Sequence, residues 1–430
     1  TLFPYTTLFR SNMPKKLTAI LLIFSVCASI SGNMAVSGAS SNVAVTLPAD
    51  FVLSITAMQQ GWIVRTATNN PCNLTPVKVN MHDGQVGKRF ANMSNFLKAS
   101  PDSTNCAFIN WLIFENRTYA NGLLTLSKYY FPVFEQQLKK AKLPSDLKYL
   151  PAVVSALHIH STSRNGNAGI WQLSIPVGRM YGLEINSLVD ERFDPVLSGA
   201  AAVEYLRDLY AMYADWSLVV VAYTAGPGNL NKAIRRANNS RNPADFLPFL
   251  ATQVQGYLKL FPAIQYVIQH ASLNHLCKAD IKLPLLIDTV QVTEKMHFQQ
   301  ISSTLNIPIE LIRVLNPRYV KDFLPGNIAS YPLLLPFGMV AMYHQSKAQI
   351  VAYKPDTFTN TRREEVTILD RKSISPTKKS TPKHTIHIVK SGQTLGGIAD
   401  RYNVPLTKLK KWNNIRGNII RPGQKLKILK

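Results

Sequence analysis

Residues 143–173 read LPSDLKYLPAVVSALHIHSTSRNGNAGIWQL, and the rest of the chain is best interpreted outward from them. Pro144 suits the first turn of a helix, where its missing N–H group is not needed. Four apolar residues then follow at helical spacing and are expected to share one buried face: Leu147, Leu150, Val154 and Leu157. On this pattern Val154 is an ordinary core residue of an amphipathic helix.

Helical patterns flank this stretch on both sides. Apolar and aromatic residues recur at helical spacing over 119–138. Asp194 or Ser198 can cap a later helix, and Asp215 stands where it can cap another. Further helices are expected at 216–222, 229–236 and 246–268. No strand pattern interrupts them, so the central region is predicted to be mainly α-helical.

Three sequence blocks give this region a family resemblance. They are GIWQL at 169–173, VDERFDP at 189–195 and AYTAGPGN at 222–229. In this order they resemble the catalytic domain of lytic transglycosylases of the membrane-bound type D kind, goose-lysozyme-like enzymes of the glycoside hydrolase family 23 type that cut peptidoglycan. The resemblance covers about 108–430 and implies a mainly α lysozyme-like domain at 108–275. The run at 129–151 is similar to transglycosylases from Bacteroidota.

A valine stands at the position of the family's catalytic acid. The family pattern Leu-Pro-x-x-Glu-Ser reads Leu-Pro-Ala-Val-Val-Ser at 150–155, with Val154 in place of the glutamate. By resemblance, that glutamate serves as acid and then base while the sugar's own 6-hydroxyl attacks and gives a 1,6-anhydro product. A valine has no titratable proton and can fill neither role. Thr224 and Gln253 also replace family residues, an asparagine and a glutamate.

The sequence therefore predicts no catalytic residue and a peptidoglycan-binding protein whose catalysis is impaired. The alternative is an active lytic transglycosylase that cleaves the MurNAc–GlcNAc bond with a substitute acid. His158, His160 and Asp146 are the candidates, but a displacement of four residues moves a group about 6 Å along a helix, and such misplacement is costly in catalysis. We favour surface or capping roles for the two histidines.

Other positions of the expected sugar-binding groove are retained. Ser163, Gln172 and Tyr223 stand where the family motifs place them, and Thr224 adjoins them. The resemblance implies that these four residues bind the N-acetylated sugars, because polar groups that converge in a cleft usually serve a ligand. The alternative for Gln172 and Tyr223 is a packing role.

The C-terminal part contains an internal repeat. Residues 385–430 resemble a LysM module, a β-α-α-β peptidoglycan binder, and 285–343 resemble a degenerate copy of it. Asn316 lies 15 positions after Ile301, and Asn413 lies 15 positions after Ile398; each asparagine is followed 9 positions later by a proline. This shared spacing indicates two homologous units. The intervening 344–384 is rich in Ser, Thr, Pro and Lys towards its end and is interpreted as a flexible tether.

The resemblance also implies where the C-terminal module binds glycan. Two loops are expected to form the groove, with these residues: Ser391, Gly392, Gln393, Thr394, Asn413, Asn414 and Ile415. Leu395 and Trp412 are better explained as core residues. The first copy lacks the corresponding turn and is expected to be structural or a weak binder.

The sequence of the N-terminal region predicts that the protein is exported across the inner membrane. Residues 1–12 resemble a translated sequencing adapter, and 13–33 resemble a signal peptide, with a short basic segment before an apolar run; a buried helix is the alternative. Cys27 fits a lipid-anchor motif poorly. After cleavage three cysteines remain, which allows at most one internal disulfide, with Cys72 and Cys106 as a guess. Residues 34–107 stay poorly defined.

The charge composition of the chain indicates which classes of binding partner to expect. Lys and Arg outnumber Asp and Glu by 48 to 24 in 430 residues. Such an excess favours a polyanionic partner, although it also serves solubility. No base-reading motif accompanies it, so nucleic acid is not expected as a partner. We expect peptidoglycan strands, and other cell-wall hydrolases as further partners, in the periplasm or cell envelope. No metal or other cofactor is predicted.

Overall fold

A computed structural model describes most of the chain. The described residues are 35–36, 45–67, 75–80, 82–93, 97, 102–277, 279–281, 283–284, 286–359, 384–390, 393–402, 404, 406–413, 415 and 420–429. The expected adapter and signal peptide lie outside them. The chain forms two compact units, Thr1–Thr367 and Ile368–Lys430. In the described part, no helix is both long and apolar enough to cross a membrane.

Helices build most of the first unit. They are α1 (Ala49–Gln60), α2 (Trp62–Thr66), α3 (Gly84–Asn92), α4 (Ser103–Asn110), α5 (Arg117–Lys140), α6 (Leu150–Ser155), α7 (Ile175–Met180), α8 (Pro195–Tyr213), α9 (Trp216–Ala225), α10 (Pro227–Arg236), α11 (Pro243–Phe246) and α12 (Thr252–Gln269). Strands β1 (Ala35–Val36) and β2 (Val45–Thr46) pair antiparallel before them. Asp194 and Asp215 cap α8 and α9 through their carboxylates, which confirms both predicted helix starts.

One apolar core joins these helices. Phe51 and Met58 of α1 are buried in it together with Phe134 of α5 and Trp171 of the GIWQL block. Burial of such side chains contributes roughly 1.5–3 kcal/mol each. The N-terminal helices, which the sequence left undefined, therefore belong to the same folding unit as the central domain.

The helix that carries Val154 is shorter than the apolar pattern predicts. A 3-10 turn occupies Ser145–Tyr149, and α6 ends at Ala156, whose φ is 52°. Leu157 also has a positive φ of 58° and lies beyond the helix. The predicted single face from Leu147 to Leu157 is therefore wrong, although all four apolar residues are buried.

The cysteine pairing guessed from the sequence is also wrong. Cys277 is disulfide-bonded, whereas Cys106 is free. Cys106 faces the apolar core from α4 with 5% of its surface exposed. Burial, followed by the charge of Asp102, raises the pKa of the Cys106 thiol to about 11, which keeps it unreactive.

The first LysM-like module follows the helical domain in the same unit. It contains β3 (Ile287–Val292), β4 (Lys295–His297), α13 (Phe298–Leu305), α14 (Ile309–Leu315), β5 (Phe323–Pro325), β6 (Tyr331–Pro336), α15 (Met339–Ala352) and α16 (Pro355–Phe358). Strand β3 pairs antiparallel with β6, and β4 with β5. Tyr343 and Ile350 anchor α15 in the module core. The structure thus has helices up to residue 358, where the sequence analysis expected the tether from 344.

This module is docked on the VDERFDP block of the helical domain. Val189 forms a β-bridge with Tyr319. The Asp190 N–H donates to the Arg318 carbonyl at 2.8 Å, and the Val320 N–H donates to the Leu188 carbonyl at 2.8 Å. Leu188 and Val189 are buried in the core of the module. Two parts that are separate in the sequence therefore share backbone hydrogen bonds and apolar packing.

The second unit has the predicted β-α-α-β order. It contains β7 (His384–Ile388), α17 (Leu395–Arg401), α18 (Leu406–Trp412) and β8 (Lys425–Leu429), and β7 pairs antiparallel with β8. Leu395 is buried in its core, as expected, and Trp412 packs against that core.

One asparagine has the same hydrogen bonds in both modules. The Asn316 amide donates to the Leu334 carbonyl at 2.8 Å and accepts from the Leu334 N–H at 2.8 Å. The Asn413 amide does the same with Lys427, at 2.8 and 2.6 Å. Each asparagine thereby ties the second helix of its module to the last strand. The repeat inferred from spacing is confirmed in its hydrogen bonds.

Candidate functional site

The side chain of Val154, which the sequence predicts to stand at the family's acid position, is part of the apolar core. Val154 is 4% exposed on α6, where every residue is buried. The hydroxyl of the next residue, Ser155, donates to the carbonyls of Pro151 at 2.9 Å and Ile170 at 2.6 Å. Ser155 therefore fastens the end of α6 to the GIWQL block.

The backbone after this position is held in an uncommon conformation. Ala156 and Leu157 are consecutive residues with φ of 52° and 58°, and Gln172 has φ of 51°. Residues with a side chain rarely adopt this left-handed region, and such strain clusters at functional sites. The turn after Val154 therefore has the kind of backbone conformation that is found at functional sites.

A cavity of about 300 Å³ lies beside the GIWQL block. We call it the groove cavity, and its lining residues are Asn165, Asn167, Gln172, Leu173, Ser174, Val177, Tyr205, Tyr223, Thr224, Ala225, Gly226 and Pro227. It brings together three of the four predicted sugar-binding residues. Ser163 and Val154 are not among the lining residues.

The predicted sugar-binding side chains already have partners inside the protein. The Gln172 amide donates to the carbonyls of Ser161 at 3.0 Å and Gly169 at 2.8 Å. The Tyr223 hydroxyl donates to the Trp171 carbonyl at 2.6 Å. Thr224 donates back into its own helix, to Val220 at 2.9 Å. The side-chain oxygen Oε1 of Gln172 and the methyl group of Thr224 take no part in these bonds and are left for contact with a ligand.

The hydroxyl of Ser163 also has a structural partner. It accepts a hydrogen bond from the Asn167 N–H at 3.1 Å, while the Ser163 N–H donates to the Asn167 carbonyl at 2.9 Å. Ser163 therefore closes the loop from which Asn165 and Asn167 reach the groove cavity.

A buried arginine braces the GIWQL loop. The Arg192 guanidinium donates to the carbonyls of Gly166 at 2.8 Å and Leu173 at 3.1 Å. It also forms a bidentate pair with Asp190, at 3.0 and 2.7 Å. A Cβ at Gly169 would lie 1.7 Å from the Arg192 carbonyl oxygen, so only glycine fits there. These contacts join the VDERFDP block to the GIWQL block in this chain.

Among the described residues, the titratable side chains that line the groove cavity are two tyrosines. Burial, with a smaller effect of Tyr213, raises the pKa of Tyr205 to about 12. Burial and then Tyr205 raise the pKa of Tyr223 well above 10. A general acid is most effective with a pKa near the working pH. Neither phenol meets that requirement.

The candidate substitute acids lie elsewhere. His158 and His160 line a separate cavity of about 60 Å³, where burial and then His160 lower the pKa of His158 to about 4. Asp146 is 4% exposed and is not among the residues that line the groove cavity. None of the three is brought to the groove cavity.

The structure adds one carboxylate that the sequence analysis did not consider. Asp50 of α1 accepts from the Gln253 amide at 2.6 Å, and this amide also donates to the Tyr257 hydroxyl at 3.0 Å. Asp50 is 6% exposed, and its second oxygen has no partner among the described residues. Asp50 is not among the residues lining the groove cavity either. No sequence signal linked α1 to Gln253, which lies 203 positions away.

In the C-terminal module, the described candidate residues mainly hold their own loops. The Gln393 carbonyl oxygen accepts from the Lys390 N–H at 2.9 Å and is 2.9 Å from the His387 Nε2. The Thr394 hydroxyl accepts from the Gly397 N–H at 3.2 Å. Asn413 is bonded to Lys427, and Ile415 packs on the core. The remaining three candidates, Ser391, Gly392 and Asn414, lie outside the described residues.

No metal site is evident where the structure describes the chain. Groups of three or more His, Cys, Asp or Glu side chains that could hold an ion are absent from the described ranges.

Comparisons with known families agree with this architecture. The Transglycosylase SLT domain family matches residues 131–246. The LysM-like domain of lytic transglycosylase MltD matches 287–352, and the LysM domain matches 387–429. The chain thus carries a lysozyme-like transglycosylase SLT domain followed by two LysM-type modules.

Individual relatives specify the kind of protein further. Membrane-bound lytic murein transglycosylase D of Escherichia coli (strain K12) is 28% identical over 319 residues. The alignment covers 73% of this chain and 66% of that relative. The chain is homologous to this transglycosylase, which confirms the resemblance seen in the sequence; the similarity to Bacteroidota proteins stays a prediction.

Two further similarities are more limited. N-acetylmuramoyl-L-alanine amidase sle1 of Staphylococcus saprophyticus is 48% identical over 44 residues, which are 10% of this chain and 14% of the amidase. The solved 70 kDa soluble lytic transglycosylase of Escherichia coli is 14% identical. The structural alignment covers 52% of this chain and 43% of the soluble enzyme, with a TM-score of 0.30.

Proposed function

We propose that this protein binds peptidoglycan glycan strands in the cell envelope and cleaves them poorly or not at all. Gln172, Tyr223 and Thr224 would contact the sugars in the groove cavity, with Ser163 shaping the adjoining loop. Residues 391–394 and 413–415 of the C-terminal module would bind a second stretch of glycan. Other cell-wall hydrolases are the partners that such a bound protein would position.

One observation carries the proposal of impaired cleavage. By resemblance, Val154, a buried side chain, stands at the family's acid position. The titratable residues that line the groove cavity, within the part of the chain that the structure describes, are two tyrosines of raised pKa. Loss of a general acid typically lowers a rate by about a hundredfold to ten-thousandfold. Val154 does not line the groove cavity either, so the proposal of impaired cleavage rests on the replacement at this position and not on where His158, His160, Asp146 and Asp50 lie.

Digestion of peptidoglycan sacculi tests this proposal. The wild type, Val154→Glu and Val154→Gln are incubated with sacculi, and soluble products are analysed for 1,6-anhydro muropeptides. The glutamine variant is the matched control, because it has nearly the size of glutamate without its acidic proton. We expect the wild type and Val154→Gln to release none, and Val154→Glu to gain activity.

Sedimentation with insoluble sacculi measures how well the wild type and the two variants bind peptidoglycan. All three proteins are expected to sediment with them. Release of anhydro products by the wild type would contradict the proposed impairment, and the alternative of an active transglycosylase would then be tested by substitution of Asp50, Asp146, His158 and His160. A wild type that stays in solution would contradict the binding function itself.

A further inference from the structure

A buried histidine in the C-terminal module links its first strand to the loop that is expected to bind glycan. His387 of β7 is 7% exposed. Its Nδ1 atom lies 2.9 Å from the Tyr402 hydroxyl, and its Nε2 atom lies 2.9 Å from the side-chain oxygen of Gln393. We call these three residues the polar trio. Both ring nitrogens of His387 thus have hydrogen-bond partners, and one partner belongs to the loop.

The direction of the hydrogen bond between His387 and Gln393 follows from its surroundings. The Gln393 oxygen Oε1 also accepts from the Lys390 N–H at 2.9 Å, and a backbone N–H can only donate. This bond fixes which end of the Gln393 amide faces His387. Because a carbonyl oxygen accepts and does not donate, Nε2 of His387 carries the proton, and Nδ1 of the neutral ring accepts from the Tyr402 hydroxyl.

The same bonds leave the amide nitrogen of Gln393 as a donor. Its oxygen is held by His387 and Lys390, and among the described residues none accepts a hydrogen bond from its nitrogen Nε2. The side chain is half-buried. A donor whose orientation is fixed in advance binds a ligand carbonyl at a lower entropic cost than a freely rotating one. The acetamido groups of a glycan strand carry such carbonyl oxygens.

The first LysM-like module has apolar residues in place of the polar trio. The repeat spacing that pairs Asn316 with Asn413 assigns three equivalent positions, all at most 4% exposed in the core of the first module: Val290, Met296 and Leu305. Apolar side chains therefore satisfy this fold at all three positions. Buried polar groups need compensating hydrogen bonds, so packing alone gives no reason for the polar trio. Its contact with the loop gives one.

The two modules hold the equivalent turn by different means. In the first module, four consecutive residues of this turn each contact the segment 343–359, in these pairs: Glu294–Lys347, Lys295–Thr359, Met296–Tyr343 and His297–Phe358. The turn is thus covered by α15 and α16 of its own chain. In the C-terminal module, the described contacts that hold the turn come from the polar trio and Lys390.

We propose that His387 is a positioning residue for glycan binding by the C-terminal module. It acts through Gln393: its Nε2–H group fixes the amide so that the amide nitrogen donates to the acetamido carbonyl of a bound amino sugar. Tyr402 holds the imidazole in the tautomer that this requires. The inference rests on the proposed glycan binding by this module and specifies how its loop is set for that binding.

Two neutral probes test this inference in the full-length protein. Chitotetraose has four N-acetylglucosamine units, and cellotetraose has four glucose units without acetamido groups. Affinity is measured from the concentration dependence of hydrogen-exchange protection over 384–429, which separates this module from the groove cavity.

Three variants separate positioning from stability. His387→Phe keeps a ring of similar size but removes both hydrogen bonds. Gln393→Glu keeps an acceptor for His387 and Lys390 but has no donor at pH 7. Ile428→Val is the matched control, because Ile428 is fully buried in the same module and its truncation lowers stability without touching the polar trio.

The wild type and Ile428→Val are expected to prefer chitotetraose. His387→Phe and Gln393→Glu should each bind it about fivefold more weakly, the effect of one hydrogen bond, with unchanged affinity for cellotetraose. The double variant should bind chitotetraose no more weakly than Gln393→Glu, because His387 acts through Gln393.

The inference is overturned if His387→Phe keeps the wild-type affinity for chitotetraose, if it weakens both probes equally, or if its effect is undiminished in the Gln393→Glu background. Should His387→Phe not fold, Gln393→Glu decides: a retained preference for chitotetraose overturns the inference. If chitotetraose does not protect 384–429 in the wild type, the proposed glycan binding by this module fails as well. Protection by both probes with equal affinity overturns this inference alone.

Discussion

Replacement of Arg192 by methionine is expected to destabilise the first unit by about 3–5 kcal/mol. The Arg192 and Asp190 side chains are 7% and 9% exposed. Without the guanidinium, Asp190 keeps only the backbone N–H of residue 192 as a described donor. The carbonyls of Gly166 and Leu173 lose a donor too. A buried charge without its partner accounts for the size of this loss, out of a total stability of typically about 5–15 kcal/mol.

Urea unfolding followed by tryptophan fluorescence measures this loss. Arg207→Met is the matched control, because Arg207 is 54% exposed in its ion pair with Glu204, and such pairs contribute about 0–1 kcal/mol. The double variant Asp190→Asn/Arg192→Met is expected to be more stable than Arg192→Met, since no buried charge is left unpaired. A loss of less than about 1 kcal/mol in Arg192→Met, or a loss no larger than that of the control, would contradict the stabilising role of the buried Arg192–Asp190 pair.

Three further predictions concern local geometry and charge. Gly169→Ala is expected to lower stability by more than about 2 kcal/mol in thermal unfolding. Gly182 also has a positive φ but has open space around it, so Gly182→Ala should cost only about 1 kcal/mol. Equal losses would contradict the close contact between Gly169 and the Arg192 carbonyl. Because burial lowers the pKa of His158 to about 4, the unfolded state binds the extra proton below about pH 6.5. Stability is therefore lost as the pH falls from 6.5 to 4, by at most about 3 kcal/mol. His158→Gln should reduce this loss when the free energy of unfolding in urea is compared at pH 7 and pH 4. The same loss in the variant and the wild type would contradict a buried, neutral His158. Arg318→Gln removes the ion pairs between the first LysM-like module and the helical domain. Limited trypsin cleavage near 277–290 should therefore become faster. Arg313→Gln, whose ion pairs lie inside the module, should leave the cleavage rate unchanged.

Local signals predicted the local features of the fold. Helix α5 and the caps Asp194 and Asp215 follow from spacing and from side-chain chemistry within a few residues. The repeated asparagine positions predicted two homologous modules because the intervals from the preceding isoleucine and to the following proline are the same in both copies. Gln172, Tyr223 and Thr224, inferred from the family motifs, do line one cavity.

Contacts between distant residues could not be predicted in this way. The end of α6 at Ala156 depends on the bond from Ser155 to Ile170, fifteen positions away. The brace by Arg192 satisfies backbone carbonyls of a different loop, and the pair of Asp50 with Gln253 joins opposite ends of the domain. Apolar periodicity reports which face of an element is buried, but not which partner buries it.

The docking of the first module has a consequence for how this chain can be divided. A shortened protein that ends before Ile287 would bring Leu188 and Val189 to the solvent, although they are now 4% and 0% exposed. It would also leave the N–H of Asp190 and the carbonyl of Leu188 without their strand partners. An exposed apolar edge with free backbone groups favours self-association. The sequence repeat is thus not an interchangeable cassette, and the smallest soluble form of the groove is expected to extend through Ala352.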